Sequence, residues 1–204
     1  MLSQVKNIKY AGIIYPFVDR VFRLLEIVTL LGLLRYIFIR RLHRKWFVLY
    51  SQLAVDLYVC LWLALEASML LYPFVSVVIP RIFAYVFAWR IVDIVQAWFN
   101  VTIRPPFNIS SSRRLFILVL LNYVEIALIF SVMIFSFQTN FMPHPYYMFD
   151  AFFSSLTILL PVISPVVTPI SLVGLAMYYG EIVISLIFFI VIIQRALALL
   201  TIKD

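Results

Sequence analysis

Three prolines at four-residue spacing, Pro161, Pro165 and Pro169, stand between two apolar stretches and limit what the C-terminal part of this chain can become. Proline inside a helix removes a backbone hydrogen bond and clashes with the preceding turn, and inside a paired strand it removes a ladder bond. An extended, unpaired segment is therefore expected from Pro161 to Pro169. The stretch before it, Asp150 to Leu160, is apolar and helix-compatible, but at about 1.5 Å per residue it falls well short of the roughly 30 Å of hydrocarbon in a bilayer. A short apolar helix followed by extended backbone fits a re-entrant segment, which must be buried in protein at membrane depth. Asp150 is expected to act as its N-cap, with the carboxylate over the first free N–H groups. A full span, Leu172 to Leu200, follows.

Composition places the whole chain in the membrane. Of 204 residues, 65% are hydrophobic and only 12% charged, with a mean hydropathy of +1.09, a balance foreign to soluble domains. Four stretches are long enough to cross: Trp46 to Tyr72, Arg81 to Thr102, Arg113 to Phe137, and Leu172 to Leu200. Pro73 and Pro80 turn the first two into a tight hairpin, and Arg104, Pro105, Pro106 and Ser110 to Ser112 mark the loop before the third. From Tyr15 to Ile39 the charges Asp19, Arg20, Arg23, Glu26 and Arg35 interrupt the apolar pattern, which fits a helix lying in the interface. A span over Leu24 to Ile39 is the alternative.

Charge sets the orientation. The N-terminal arm, the loop with Arg104, Arg113 and Arg114, and the tail with Arg195 and Lys203 hold fourteen of the sixteen lysines and arginines, and the loop from Gln138 to Ser171 holds none. By the positive-inside rule both termini are cytoplasmic, in a plasma membrane such as the bacterial inner membrane, and the Pro-rich segment faces outward. Arg40, Arg41, Arg44 and Lys45 read as an anchor on anionic lipid, with docking of a soluble cytoplasmic protein as the alternative; direct nucleic-acid binding is not expected.

Five of the nine acidic residues, Asp56, Glu66, Asp93, Glu125 and Glu181, lie within the spans, where charges are expensive and are paired or face a polar cavity. Counting rise along the hairpin brings Asp56 to the depth of Arg90 and Glu66 to that of Arg81, with Asp93 one turn from Arg90. Ion pairs that fix helix packing are expected in preference to a proton or ion relay. Glu125 and Glu181 have no evident cation at their depth and are the better functional candidates, facing Ser/Tyr hydroxyls or a subunit boundary. The lone Cys60 reads as a buried inert thiol, and His43 and His144 as solvated or interfacial. No catalytic arrangement, cofactor motif or metal-ligand spacing is legible, and no enzyme is expected. Two arginines nine apart, Arg81 and Arg90, with Ala84 and Phe87 between them, do not make a voltage sensor.

From Asp150 to Arg195 the residues resemble the pore module of tetrameric potassium-type channels, whose members read D-A-x-Y-F-S-x-x-T-x-T-T-V-G-Y-G-D-I-x-P, then a Gly, then L-E-x-x-x-G-L-F-F and an Arg. Asp150, Ala151, Ser155, Val162, Pro169, Gly174, Glu181, Leu186, Phe188 and Arg195 fall on matching positions without a gap, and Ser185 stands where a hinge Gly is frequent. The resemblance covers about a quarter of the chain, or a third with Arg113 to Phe137 as outer helix. Together with the spans read above, it gives an all-α integral membrane protein: four transmembrane helices, an N-terminal interfacial helix, and a re-entrant pore helix with a Pro-rich extended segment. The expected organisation is a basic arm (1–45), a two-span accessory hairpin (46–102) and the module (113–200), assembled as a homotetramer. The filter departs from the pattern. Its glycines are replaced by Ile163 and Pro165, and its threonines by Leu160 and Pro161. A potassium filter presents stacked backbone carbonyls through dihedrals that glycine reaches and proline does not. The filter-like residues Thr157, Leu160, Pro161, Val162, Ile163, Ser164 and Pro165 thus imply a channel that is non-selective or closed at rest. A non-conducting sensor or scaffold that recruits a soluble partner is the alternative; in size and span count the chain is similar, in outline only, to the small membrane subunits of two-component phage-defence systems such as Kiwa.

Overall fold

The computed structural model describes residue 20 and residues 44–71, 78–103, 112–160 and 166–201. The expected interfacial helix, Arg40, Arg41, and the filter-like positions Pro161, Val162, Ile163, Ser164 and Pro165 lie outside the described residues, save Arg20, which is helical and exposed.

Among the described residues five helices carry the fold: α1 (Arg44–Leu71), α2 (Val78–Ile103), α3 (Ser112–Ser136), α4 (Met148–Leu159) and α5 (Leu172–Thr201). α1, α3 and α5 each contain an apolar stretch long enough to cross a membrane, Leu53–Leu70, Phe116–Ser136 and Leu172–Ile190. α2 has the length, but Arg81, Arg90 and Asp93 interrupt its apolar run. Its start also differs from expectation. Pro80 is not in the turn but in the first turn of α2, where a missing N–H leaves no bond unmade.

α3 is the central helix. From Glu125 to Val132 every residue is buried, the pattern of a helix surrounded by others rather than amphipathic, and α1, α2, α4 and α5 all pack on it. The larger core cluster joins Phe87, Ile91, Ile94 and Trp98 of α2 to Ile126, Ile129 and Phe130 of α3 and Phe188 of α5. A second, smaller cluster joins Ile134 of α3 and Phe141 to Ala151 and Ile158 of α4 and to Val167. The outward faces are apolar too. Leu53, Leu57 and Leu61 form a four-residue-spaced exposed stripe on α1, and Val183, Leu186, Phe189 and Ile190 are exposed on α5.

The connection between α3 and α5 departs from the all-α expectation. After a 3₁₀ turn (Gln138–Asn140), β1 (Phe141–Met142) pairs antiparallel with β2 (Thr168–Pro169), Phe141 opposite Pro169 and Met142 opposite Thr168. The expectation that the prolines exclude all pairing is thus corrected. Two residues suffice for the ribbon, and Pro169 ends its strand, where no further N–H is asked of it. The next amide serves instead, Ile170 N–H donating to Asn140 O at 2.9 Å, and the Thr168 hydroxyl donates to Met142 O at 2.8 Å. Ser171 Oγ, 2.7 Å from Asn140 Oδ1, completes the joint. α5 starts so close to it that a Cβ on Gly174 would stand 2.5 Å from Asn140 O.

Asp150 is not the N-cap of α4. The helix starts two residues earlier, Tyr147 is the cap, and Asp150 in the first turn reaches back to accept the Tyr147 N–H at 2.9 Å. The carboxylate still serves the helix N-terminus, as the Glu or Gln of a capping box does.

Candidate functional site

Two buried polar clusters meet α3 from different sides. The first lies between α1, α2 and α3. Arg90 donates through Nε and Nη2 to the two oxygens of Glu125, at 2.5 and 3.1 Å, the paired-fork arrangement that guanidinium and carboxylate favour. Its Nη1 is 3.9 Å from Asp93 Oδ2. Tyr58 OH donates to the same Asp93 oxygen at 2.8 Å, and the Tyr58 and Trp62 rings lie 4.5 and 5.7 Å from the guanidinium carbon, within reach of a cation–π contact. With its amide set to satisfy both neighbours, Asn122 donates to Glu125 Oε2 and accepts from Trp98 Nε1, each at 3.3 Å.

This arrangement corrects three expectations. Arg90 is paired with Glu125 rather than with Asp56, which is half-buried on α1. Glu125 therefore does have a cation at its depth. Glu66 is fully buried but not joined to Arg81: its oxygens have no hydrogen-bond partner, and Arg81 Nε instead donates to Ser136 O at 3.2 Å, serving the last turn of α3. Depth counting between α1 and α2 went astray because it left out α3, which wedges against both. The signal that could have found the pair is position, since Arg90 and Glu125 both stand near the midpoints of their helices. Asp93 lies one turn from Arg90 as the spacing requires.

The second cluster fastens α4 between α3 and α5. Ser155 Oγ contacts both Ala127 O of α3, at 3.0 Å, and Glu181 Oε1 of α5. Glu181 thus faces a serine hydroxyl, one of the two surroundings expected for it. At the far end of α4, Leu159 O accepts from Tyr123 OH of α3 at 2.9 Å and from Ser185 Oγ of α5 at 3.1 Å. A helix leaves its last carbonyls without intrahelical partners, and inside a membrane protein such groups need partners from the protein. Tyr123 also stacks on Phe188, ring centroids 4.7 Å apart, with Trp98 at 4.0 Å on the same ring. Sequence reasoning passed over Tyr123 and left Ser185 without a bonding role.

Of the filter-like residues that are described, Thr157 is half-buried with its hydroxyl turned back to Ser154 O at 2.8 Å, and Leu160 is exposed at the end of α4. Arg44 and Lys45 open α1, as far as the backbone describes them. Cys60 is exposed, not buried, on the outer face of α1. His144 is exposed, with Nδ1 3.0 Å from Gln138 O.

No protein-family model, curated protein or solved structure matches this chain.

Proposed function

We propose that this is a multi-pass membrane subunit with four spans, whose re-entrant unit, α4 and the Pro-rich segment, stands near the axis of a cyclic homotetramer as a pore without a potassium-selective filter, closed or non-selective at rest. The observation that carries this reading is the seating of α4. A twelve-residue helix, about 18 Å long at 1.5 Å per residue, is held between two long apolar helices by side-chain bonds at its middle and its C-terminal end. A helix so placed is too short to span and too well held to be a surface loop. α2 serves as the fourth span because its mid-helix charges are neutralised inside the bundle, Arg90 by Glu125 and Asp93. The termini lie in the cytoplasm of a bacterial cell, with the basic cluster Arg40, Arg41, Arg44 and Lys45 on anionic lipid.

A second reading has its own observation in support. The Leu159 carbonyl, at the end of α4 where a pore helix would aim toward the axis, is satisfied by two hydroxyls of its own chain. That favours a non-conducting frame that signals to a soluble cytoplasmic partner, as in the phage-defence pairs similar to it in outline.

Reversal potentials of the purified protein in planar bilayers, with potassium on one side and sodium on the other, test both. A non-selective current supports the pore over the sensor, whereas silence from an intact assembly fits the sensor and a pore closed at rest alike. A clear shift toward the potassium equilibrium value contradicts each of them.

A further inference from the structure

Glu181 is wholly buried, and its two oxygens differ. Oε1 contacts Ser155 Oγ, Oε2 has no hydrogen-bond partner among the described residues, and the same Ser155 Oγ lies 3.0 Å from Ala127 O. Carboxyl, hydroxyl and carbonyl therefore form a file of three oxygens across α5, α4 and α3. A serine hydroxyl carries one hydrogen and cannot fill both contacts as donor. Were Glu181 a carboxylate, one of the two contacts would set lone pair against lone pair, and a charge would stand in the interior with one oxygen bonded to nothing. The surrounding charges offer no relief: on α2 and α3, Arg90, Asp93 and Glu125 are engaged with one another, and on α4 Asp150 is bonded to the Tyr147 N–H. No described cation contacts Glu181.

One proton on Oε1 removes the lone-pair clash and the charge, and leaves Oε2 as a neutral carbonyl oxygen. We propose that Glu181 is a proton-binding site: held as the neutral acid, it donates to Ser155 Oγ, and Ser155 donates to Ala127 O, so that a bound proton fastens the short helix to α3 and α5 at once. Each of the two contacts then carries one hydrogen. Loss of the proton would release α4 at its middle while the Tyr123 and Ser185 bonds still held its end. Proton binding at Glu181 does not depend on whether an ion ever crosses.

Infrared difference spectroscopy of the full chain in lipid nanodiscs at neutral pH tests it. Wild type minus Glu181→Gln should show loss of one protonated-carboxyl C=O band and no loss of carboxylate bands. The glutamine amide can donate to Ser155 in the same way, so this variant should melt with the wild type. Ser155→Ala should keep the C=O band but move it to higher frequency, because the acid loses its acceptor; a residue that merely fills space would not shift it. Loss of carboxylate bands in Glu181→Gln, or an unmoved band in Ser155→Ala, overturns the proposal. Should Glu181→Gln fail to fold, the presence or absence of the Ser155→Ala shift decides alone.

Discussion

Arg90 and Glu125 neutralise each other in the core between α2 and α3, and each is worth more as a partner than as a residue. Removing one leaves the other charged and buried, so Glu125→Ala is expected to cost about 3–5 kcal/mol. Replacing both by apolar residues, Arg90→Met with Glu125→Leu, in an Asp93→Asn background that leaves no second buried carboxylate beside the lost guanidinium, should return most of that loss, because the pair's attraction is offset by its desolvation. Reversible unfolding in detergent measures both, and a double variant no more stable than the worse single one would contradict the pairing. The two described glycines of α5 give a second, opposite pair. Gly174→Ala would place its Cβ 2.5 Å from a backbone oxygen, Asn140 O, and should destabilise by about 1–3 kcal/mol as overpacking does. Gly180 has nothing within 4 Å of the same point, so Gly180→Ala should be neutral or stabilise by up to about 1 kcal/mol through helix propensity. At this scale the sequence told which residues were expensive but not whom they met. Glu66, Arg90, Glu125 and Glu181 were legible as intramembrane charges, yet partner choice depends on which faces α3 presents, and a helix that is apolar along its length and buried at every residue from Glu125 to Val132 gives no face to read.

Among the elements, length and punctuation were the legible part. Four long helices end within a few residues of where Pro, Ser and charge place them, because a hydrophobic run of spanning length leaves the backbone few alternatives. The ribbon between Phe141–Met142 and Thr168–Pro169 was not legible: it is too short for any period-two signal, and one of its residues is a proline. Orientation rests on charge, and single-cysteine labelling in a Cys60→Ser background tests it. A cysteine at Pro143 should react from outside intact cells and one at Ser111 only after permeabilisation; the reverse accessibility would contradict the positive-inside reading. The basic cluster has its own test. Replacing Arg40, Arg41, Arg44 and Lys45 by glutamine should weaken lipid attachment by roughly 1 kcal/mol per charge while insertion stays normal. Salt-sensitive loss of a co-purifying acidic protein would instead favour docking.

For the molecule as a whole, the outward faces decide the surroundings. A soluble monomer does not tolerate long exposed stripes such as Leu53, Leu57 and Leu61, or the apolar face of α5, whereas hydrocarbon or a neighbouring copy covers them without cost. The pore-like reading needs that neighbour, since a single re-entrant unit encloses no axis and a repeated interface closes only as a ring. Native mass spectrometry of the protein released from lipid nanodiscs tests this most directly. Four chain masses in one particle are predicted, and a stable monomer or dimer as the largest species would contradict the account.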